Sequence, residues 1–292
     1  MANTEIKRSL NTLIARYKLE PGLKDIYVEG PRDRSILQWF LEAKGIKDIK
    51  VYLIETIDLP HCTFSKFDLS TNSNRDMVIG LAKQLTSVFG SLTLKVKCVV
   101  DTDYDHYLNK IRKDNVLVYT DYTSMEMYCF NKSYLNKFLS LVLSGFSISS
   151  VKLLSHLTKP LQRIFLMRLA NEELNWNMTW LNDFTKYFSW KRKGIEFDEE
   201  GLLNSLLMKN NRIKDISLFR SVIKDFERKL NRDSRHNIRG HDFTHLFFWL
   251  VKKAKPTGRG FQDIGTFECS VWGCLELSLV ENEGLFLKLA SL

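Results

Sequence analysis

The carboxylates of this chain stand where a parallel sheet would gather them. Glu29 ends an expected short strand over 24–29 (KDIYVE) and precedes Gly30 and Pro31. Asp101, Asp103 and Asp105 follow a second expected strand over 95–100 (KVKCVV), as DTDYD. Glu126 lies among Met125, Met127 and Tyr128 in the string YTDYTSMEMY at 119–128. Parallel strands end on one edge, so Glu29 and the DTDYD acids are expected at the same place. If the second strand continued, 101, 103 and 105 would project to one face, because strand residues alternate. Carboxylates crowded together repel unless a cation compensates them, and hard oxygen ligands at strand ends suit Mg2+ or Mn2+. Each acid also has a plainer reading. A single strand-end acid caps or solubilises a loop, and Glu126 three residues after Thr123 forms a capping box.

The elements that must position these acids alternate in type. A helical period runs over 3–17 (Ile6, Leu10, Leu13, Ile14, Tyr17), then a short strand over 24–29 stopped by Gly30-Pro31. Pro31 suits a first helical turn, and Ile36, Leu37, Phe40 and Leu41 give that helix one apolar face. Strands are expected over 48–54, 94–100 and 115–119, with a helix carrying Met77, Ile79, Leu81, Leu85 and Val88 after a polar stretch rich in Ser, Thr and Asn. This alternation predicts an α/β fold, a doubly wound parallel sheet with function at the carboxyl ends of its strands. From Asn131 onward the apolar spacing is helical, with turn signals over 190–194 and 255–260. The expected organisation is an α/β domain over 1–130 and a mainly α-helical domain over 131–292, with 239–250 contributing to the site.

The 292 residues carry 43 Lys and Arg against 34 Asp and Glu, a net charge of +9, and 44% of them are hydrophobic, which excludes a disordered or fibrous chain. The basic excess concentrates in 209–239, where Lys209, Arg212, Lys214, Arg220, Lys224, Arg228, Lys229, Arg232, Arg235 and Arg239 recur at helical intervals. Such a face suits a polyphosphate partner, and a solvated helix surface looks the same. No continuous apolar run is long enough for a bilayer and no secretory pattern opens the chain, so a cytoplasmic protein without membrane association is expected. Cys62, Cys98, Cys129, Cys269 and Cys274 are scattered among mostly apolar neighbours, as buried, reduced thiols would be. His241 and His245 share a helical face without the glutamate of HExxH, so packing is favoured there over zinc. Trp176, Trp180, Tyr187 and Trp190 read as helical core before base-stacking groups.

Taken together, VEGPRDR (28–34), the strand ending in DTDYD, YTDYTSMEMY and RGHDF (239–243) resemble the OLD-type Toprim nucleases. More narrowly, they resemble the stand-alone Toprim effectors of PARIS-type bacterial antiphage systems. That resemblance implies a Toprim domain, Rossmann-like, and a metal-dependent endonuclease. It matches Glu29 to the Toprim glutamate, Asp101 and Asp103 to the metal-binding DxD, and Glu126 to the later acid. Asp105 follows as an outer ligand, and Asp33 as the acid one helical turn after the first strand. His241 stands where related nucleases carry a basic GK-type residue, and Arg34 is placed to neutralise phosphate. Two Mg2+ or Mn2+ ions held by Glu29, Asp101, Asp103 and Glu126 would activate water and stabilise the phosphorane-like charge. The resemblance further implies tRNA as substrate, an AriA-like ABC-type ATPase partner that holds the effector inactive, and a homodimer when active.

Two other functions fit the same residues. An OLD-like DNA endonuclease would use the same acids, and the chain has no Walker GxxxxGK[ST] string for an ATPase of its own. A non-catalytic nucleic-acid-binding module would rely on the 209–239 face, with Lys209, Arg212, Lys224, Arg228, Arg235 and Arg239 as contacts, and would ignore divalent metal. A phosphotransfer role for the Asp cluster lacks a nucleotide-binding loop.

Overall fold

The computed structural model describes residues 7–90, 94–112, 114–191, 194–254 and 261–292. In chain order its elements are β1 (Arg8–Ser9), α1 (Leu10–Leu19), β2 (Lys24–Val28), α2 (Pro31–Ala43), β3 (Ile49–Leu53), β4 (Ile57–Asp58), α3 (His61–Phe67), α4 (Asn74–Phe89), β5 (Val96–Val100) and β6 (Leu117–Tyr119). There follow α5 (Lys132–Leu141), α6 (Ser150–Glu173), β7 (Phe188–Lys191), β8 (Gly194–Phe197), α7 (Glu199–Lys209), α8 (Ile216–Glu227), α9 (Gly240–Ala254), α10 (Ile264–Gly273), α11 (Leu277–Val280) and α12 (Gly284–Ala290). They form two compact units. The first comprises Met1–Thr102, Ile111–Asp121 and Leu277–Leu292, and the second Asp103–Lys110 and Tyr122–Glu276.

The first unit is α/β. Its parallel sheet has the strand order β3-β2-β5-β6. The chain leaves β2 toward one side and, after β3, returns to β2's other side as β5, so the order reverses between β2 and β5. Right-handed crossovers make that reversal by placing the connecting helices on opposite faces. Tyr27, Val96, Cys98 and Val100 point into the core formed with α1, α3 and α4 through Leu13, Tyr17, Phe64, Leu81 and Leu85. Their neighbours Ile26, Val28 and Val99 are buried as well, on the other face. With both faces covered, the strands need no polar alternation, and each fully buried aliphatic side chain contributes about 1.5–3 kcal/mol. The C-terminal helix α12 belongs here: Phe286 packs edge-on against Phe40 of α2 with centroids 4.8 Å apart, and Lys44 pairs with Glu281 at 3.1 Å.

Several expected elements are found nearly at their expected bounds. The first helix instead begins at Leu10, because Ser9 caps it by accepting from the Thr12 N–H at 3.2 Å. Residues 3–6 of that expected helix, and the turn expected over 255–260, lie outside the described residues. The two-residue strands β1 and β4, which pair in parallel, were not expected.

The second unit is mainly helical, with one antiparallel hairpin, β7-β8, around the expected turn over 190–194. Residues 192–193 of that turn are outside the described residues. The long helix α6 buries Leu157, Leu161, Ile164, Phe165 and Leu169. A chain of rings, Phe130, Phe243, Phe247 and Phe267, joins α9 and α10 to the 3-10 turn Met125–Cys129, with centroids 5.0–5.8 Å apart. Among the described residues no helix is long and apolar enough to cross a membrane.

Candidate active site

In the first unit, Glu29 stands directly after β2 and Asp101 directly after β5, the two strands between which the order reverses. In open α/β sheets ligands bind outside the carboxyl ends of strands at that point. The Glu29 carboxylate reaches across: its Oε1 accepts the backbone N–H of Asp101 at 3.1 Å. Both residues are only partly exposed. The start of α4 holds their backbones. Asn74 Nδ2 donates to the Glu29 carbonyl at 3.0 Å and to Glu55 Oε1 at 3.1 Å, and Arg75 Nη2 donates to the Asp101 carbonyl at 2.9 Å. Sequence reasoning missed Asn74 and Arg75. Their signal was Ser73 followed three residues later by Asp76, a helix start, and Ser73 does accept from the Asp76 N–H at 3.2 Å.

Asp33 lies in the first turn of α2, where its Oδ2 accepts the Gly30 N–H at 3.1 Å, half of a capping box. Arg34 is part-buried in the same turn, with its N–H bonded to the Gly30 carbonyl at 3.1 Å. Asp121, after β6, caps another helix: both its oxygens accept the Leu285 N–H, at 3.2 and 2.9 Å.

Beyond Asp101 the strand does not continue, which corrects the expectation that 101, 103 and 105 face one way. Strand β5 ends at Val100, and Asp103 has φ of 44°, in the left-handed region that Asp and Asn tolerate better than most side chains. Asp103 belongs to the second unit, where its N–H donates to the Thr123 carbonyl at 2.8 Å. Asp105 is buried there, and Tyr104 packs on Phe165 with centroids 5.1 Å apart.

Glu126, also in the second unit, is buried within the 3-10 turn Met125–Cys129. The capping box with Thr123 does not form, because the Thr123 hydroxyl donates instead to the Ile238 carbonyl. Glu126 is held by Ser124, whose Oγ donates to Oε2 at 2.7 Å. It also lies against Gly240: a Cβ at that position would be 2.2 Å from Glu126 Oε2 and 2.3 Å from Ser124 Oγ. The segment before Gly240 is fixed by fully buried Asn237, which donates to the Asn231 carbonyl at 2.7 Å and accepts the Asn231 N–H at 3.1 Å. Arg239 follows it in the chain. Burial works against its charge, but the phenol of Tyr104 and the carboxylates of Asp242, Asp103 and Glu126 outweigh burial and hold the guanidinium above its ordinary value. Asp242 itself is buried and bidentate with Arg168, both bonds 2.8 Å, and Arg168 lies 3.9 Å above the Trp180 ring.

The remaining sequence-named residues are more dispersed. His241 and His245 are both exposed on α9. Much of the basic face is laced with acids or rings. Arg212 pairs with Asp215 at 3.4 Å and covers Trp176, Arg220 pairs with Glu200, and Arg228 with Asp225 at 3.5 Å. Arg235 forms a fork with Asp233 and stacks on Tyr122 at 3.9 Å, and Lys209 donates to the Trp180 carbonyl at 2.8 Å. Lys214, Lys224 and Arg232 are exposed. Trp176 stacks on Phe219 at 5.5 Å and Trp190 meets His156 edge-on, but Trp176, Trp180, Tyr187 and Trp190 are all only partly buried and none lies in an α-helix, Trp190 being part of β7, which corrects the expectation of helical core. The thiols depart from expectation in part: Cys98, Cys129 and Cys274 are buried, but Cys62 and Cys269 are exposed.

Among the described residues no three His, Cys, Asp or Glu side chains gather closely enough to hold a metal ion by themselves. Mg2+ does not require three, since it keeps several waters and is commonly held by one or two carboxylates together with substrate phosphates. No family model matches this chain, and no curated protein does.

Proposed function

We propose that this chain is a metal-dependent endonuclease of the OLD-type Toprim class, an AriB-like effector of antiphage defence that cleaves tRNA after release from an ABC-type ATPase partner. The observation that carries the reading is the Glu29 carboxylate hydrogen-bonded to the Asp101 backbone at the reversal of strand order. Two hard carboxylates at that edge are a donor set suited to Mg2+ or Mn2+. The N–H on Glu29 Oε1 orients the ligand, as hydrogen bonds behind metal ligands generally do. Bound by Glu29 and Asp101, the ion would polarise the phosphodiester and acidify the attacking water.

The chain's own residues supply placement. Asn74 and Arg75 fix the backbones that carry the two acids, so the carboxylates are positioned before substrate arrives. Arg34, on the first turn of α2, offers a cation for the phosphate, and the exposed Lys214, Lys224 and Arg232 favour a polyanionic substrate.

The test offers the purified chain total tRNA and plasmid DNA side by side, each with Mg2+, with Mn2+ and with chelator. Metal-dependent tRNA fragments are expected. Cleavage of plasmid alone would replace the reading with the OLD-like DNA endonuclease. Salt-sensitive binding of either nucleic acid, indifferent to metal and without cleavage, would replace it with the binding module.

A further inference from the structure

The hairpin β7-β8 of the second unit has one packed face and one open one. Phe188 and Phe197 pair across it and stack with ring centroids 4.6 Å apart, and Phe188 packs further on Phe184 and Trp249. Their strand neighbours Ser189 and Glu196, also a cross-strand pair, face the other way and are exposed. A cleft of about 380 Å3 lies against the hairpin, lined by this pair, by Lys186 and Tyr187 from the 3-10 turn before β7, and by Asp198 after β8. We infer that this cleft is a subsite for one unpaired nucleotide of an RNA strand, its base against the Tyr187 ring and its phosphate on Lys186. The inference deepens the function proposed above, and rests on it only for that strand being the substrate.

The physical reason is which groups of the cleft are already used. Both carboxylates are matched: Glu196 Oε2 pairs with Lys191 at 2.6 Å, and Asp198 Oδ1 accepts the Gly201 N–H at 2.9 Å at the start of α7. Among the described residues the side chains of Lys186, Tyr187 and Ser189 make no hydrogen bond, and the half-buried Tyr187 ring stacks on no other ring. An ammonium, a phenol and a hydroxyl are three unused donors, and they suit the acceptor oxygens of a phosphate. The ring offers a base a stacking face, which in a paired strand its neighbours would already occupy. The volume lies in the range of small-molecule sites, about 300–1,000 Å3, and suits a single nucleotide.

Fluorescence anisotropy of an end-labelled adenylate dodecamer and of a twelve-base-pair RNA duplex, each titrated with the full chain in chelator, tests this. The single strand is expected to bind, and to be displaced by adenosine monophosphate but not by inorganic phosphate at the same concentration. Tyr187→Leu is expected to weaken the single strand about tenfold and leave the duplex unchanged, while Tyr187→Phe, which keeps the ring, stays within about twofold of wild type. Lys186→Gln is expected to lower the salt slope of the logarithmic affinity by about 0.7, one phosphate contact on a single strand. A folded Tyr187→Leu chain that binds the strand as wild type does overturns the inference, as does equal displacement by phosphate, or a wild-type chain that does not bind the strand. Should Tyr187→Leu not fold, Lys186→Gln, changed at an exposed side chain, decides through the salt slope. Failure of the metal site in the first unit reads differently, as strand binding that persists without cleavage when Mg2+ is restored.

Discussion

Glu29 and Asp101, 72 residues apart, are bonded carboxylate to backbone at 3.1 Å. The bond links the ends of neighbouring parallel strands whose connections run in opposite directions, and the first turn of α4 grips both residues from the backbone side. The side chains that would do chemistry are thereby anchored on rigid elements.

Gly240 is fixed by contact and not by backbone angle. Gly240→Ala would force its methyl into Glu126 Oε2 and Ser124 Oγ and is expected to cost about 1–3 kcal/mol, the usual range for overpacking. Adding Ser124→Ala should recover part of the loss. Gly273→Ala, with nothing within 4 Å of the new methyl, should stay within about 0.5 kcal/mol of the parent. Urea unfolding of the variants checks all of these, and a Gly240→Ala protein as stable as wild type would contradict the close approach.

The Arg168 and Asp242 pair is buried and bidentate, with 16% and 4% side-chain exposure. Removing one partner leaves an uncompensated charge, so Asp242→Leu should cost about 3–5 kcal/mol. The Arg168→Met, Asp242→Leu double variant should be more stable than Asp242→Leu alone, because both charges have gone. Denaturation of the two single variants and the double variant measures the coupling; strict additivity would mean that the pair does not interact.

Much of the first unit was legible in the sequence. Apolar runs and Pro31 marked β2, α2, β3 and β5 to within a residue or two, and Glu29 and Asp101 could be placed as strand ends from position alone. What escaped has physical causes. Strands of two residues, β1 and β4, are too short to show a period. The left-handed backbone at Asp103 breaks the alternation that a DxD string suggests, and no neighbouring residue announces it. Thr123 reads locally as a cap but spends its hydroxyl on Ile238, 115 residues away. Asn74 and Arg75 looked like loop polarity, since their partners are backbone carbonyls of other segments.

The thiols should divide by burial. Cys98 and Cys129 are fully buried, and desolvation pushes both thiols far above their ordinary range, while Cys274 is raised by burial as well. A disulfide-exchange dye is expected to react promptly with Cys62 and Cys269 in the folded protein and with all five cysteines after unfolding. Rapid labelling of Cys98 or Cys129 under native conditions would contradict this packing.

Asp233 gives a pH signature. Partial burial alone would raise its carboxyl, but the hydrogen bonds from Arg235 outweigh burial and hold it below its ordinary value of 3.8. A carboxylate depressed in the folded state stabilises the fold above its unfolded value and loses that contribution as pH falls through the folded one. Wild type should therefore be more stable than Asp233→Asn near neutrality, and the gap should close in acid below about pH 4. A gap unchanged between pH 7 and pH 3 would show that the pair with Arg235 contributes through packing alone.

The most direct measurement is the initial rate of tRNA cleavage at saturating Mg2+ for wild type and Glu29→Gln, with melting temperatures taken alongside. Glutamine keeps the size of the side chain and an oxygen for the Asp101 N–H while removing the charge a divalent ion needs. Glu29→Gln is expected to melt close to wild type and to cleave at least about a hundredfold more slowly, the scale of losing a metal-bound water. A folded Glu29→Gln protein that cleaves at the wild-type rate would contradict it.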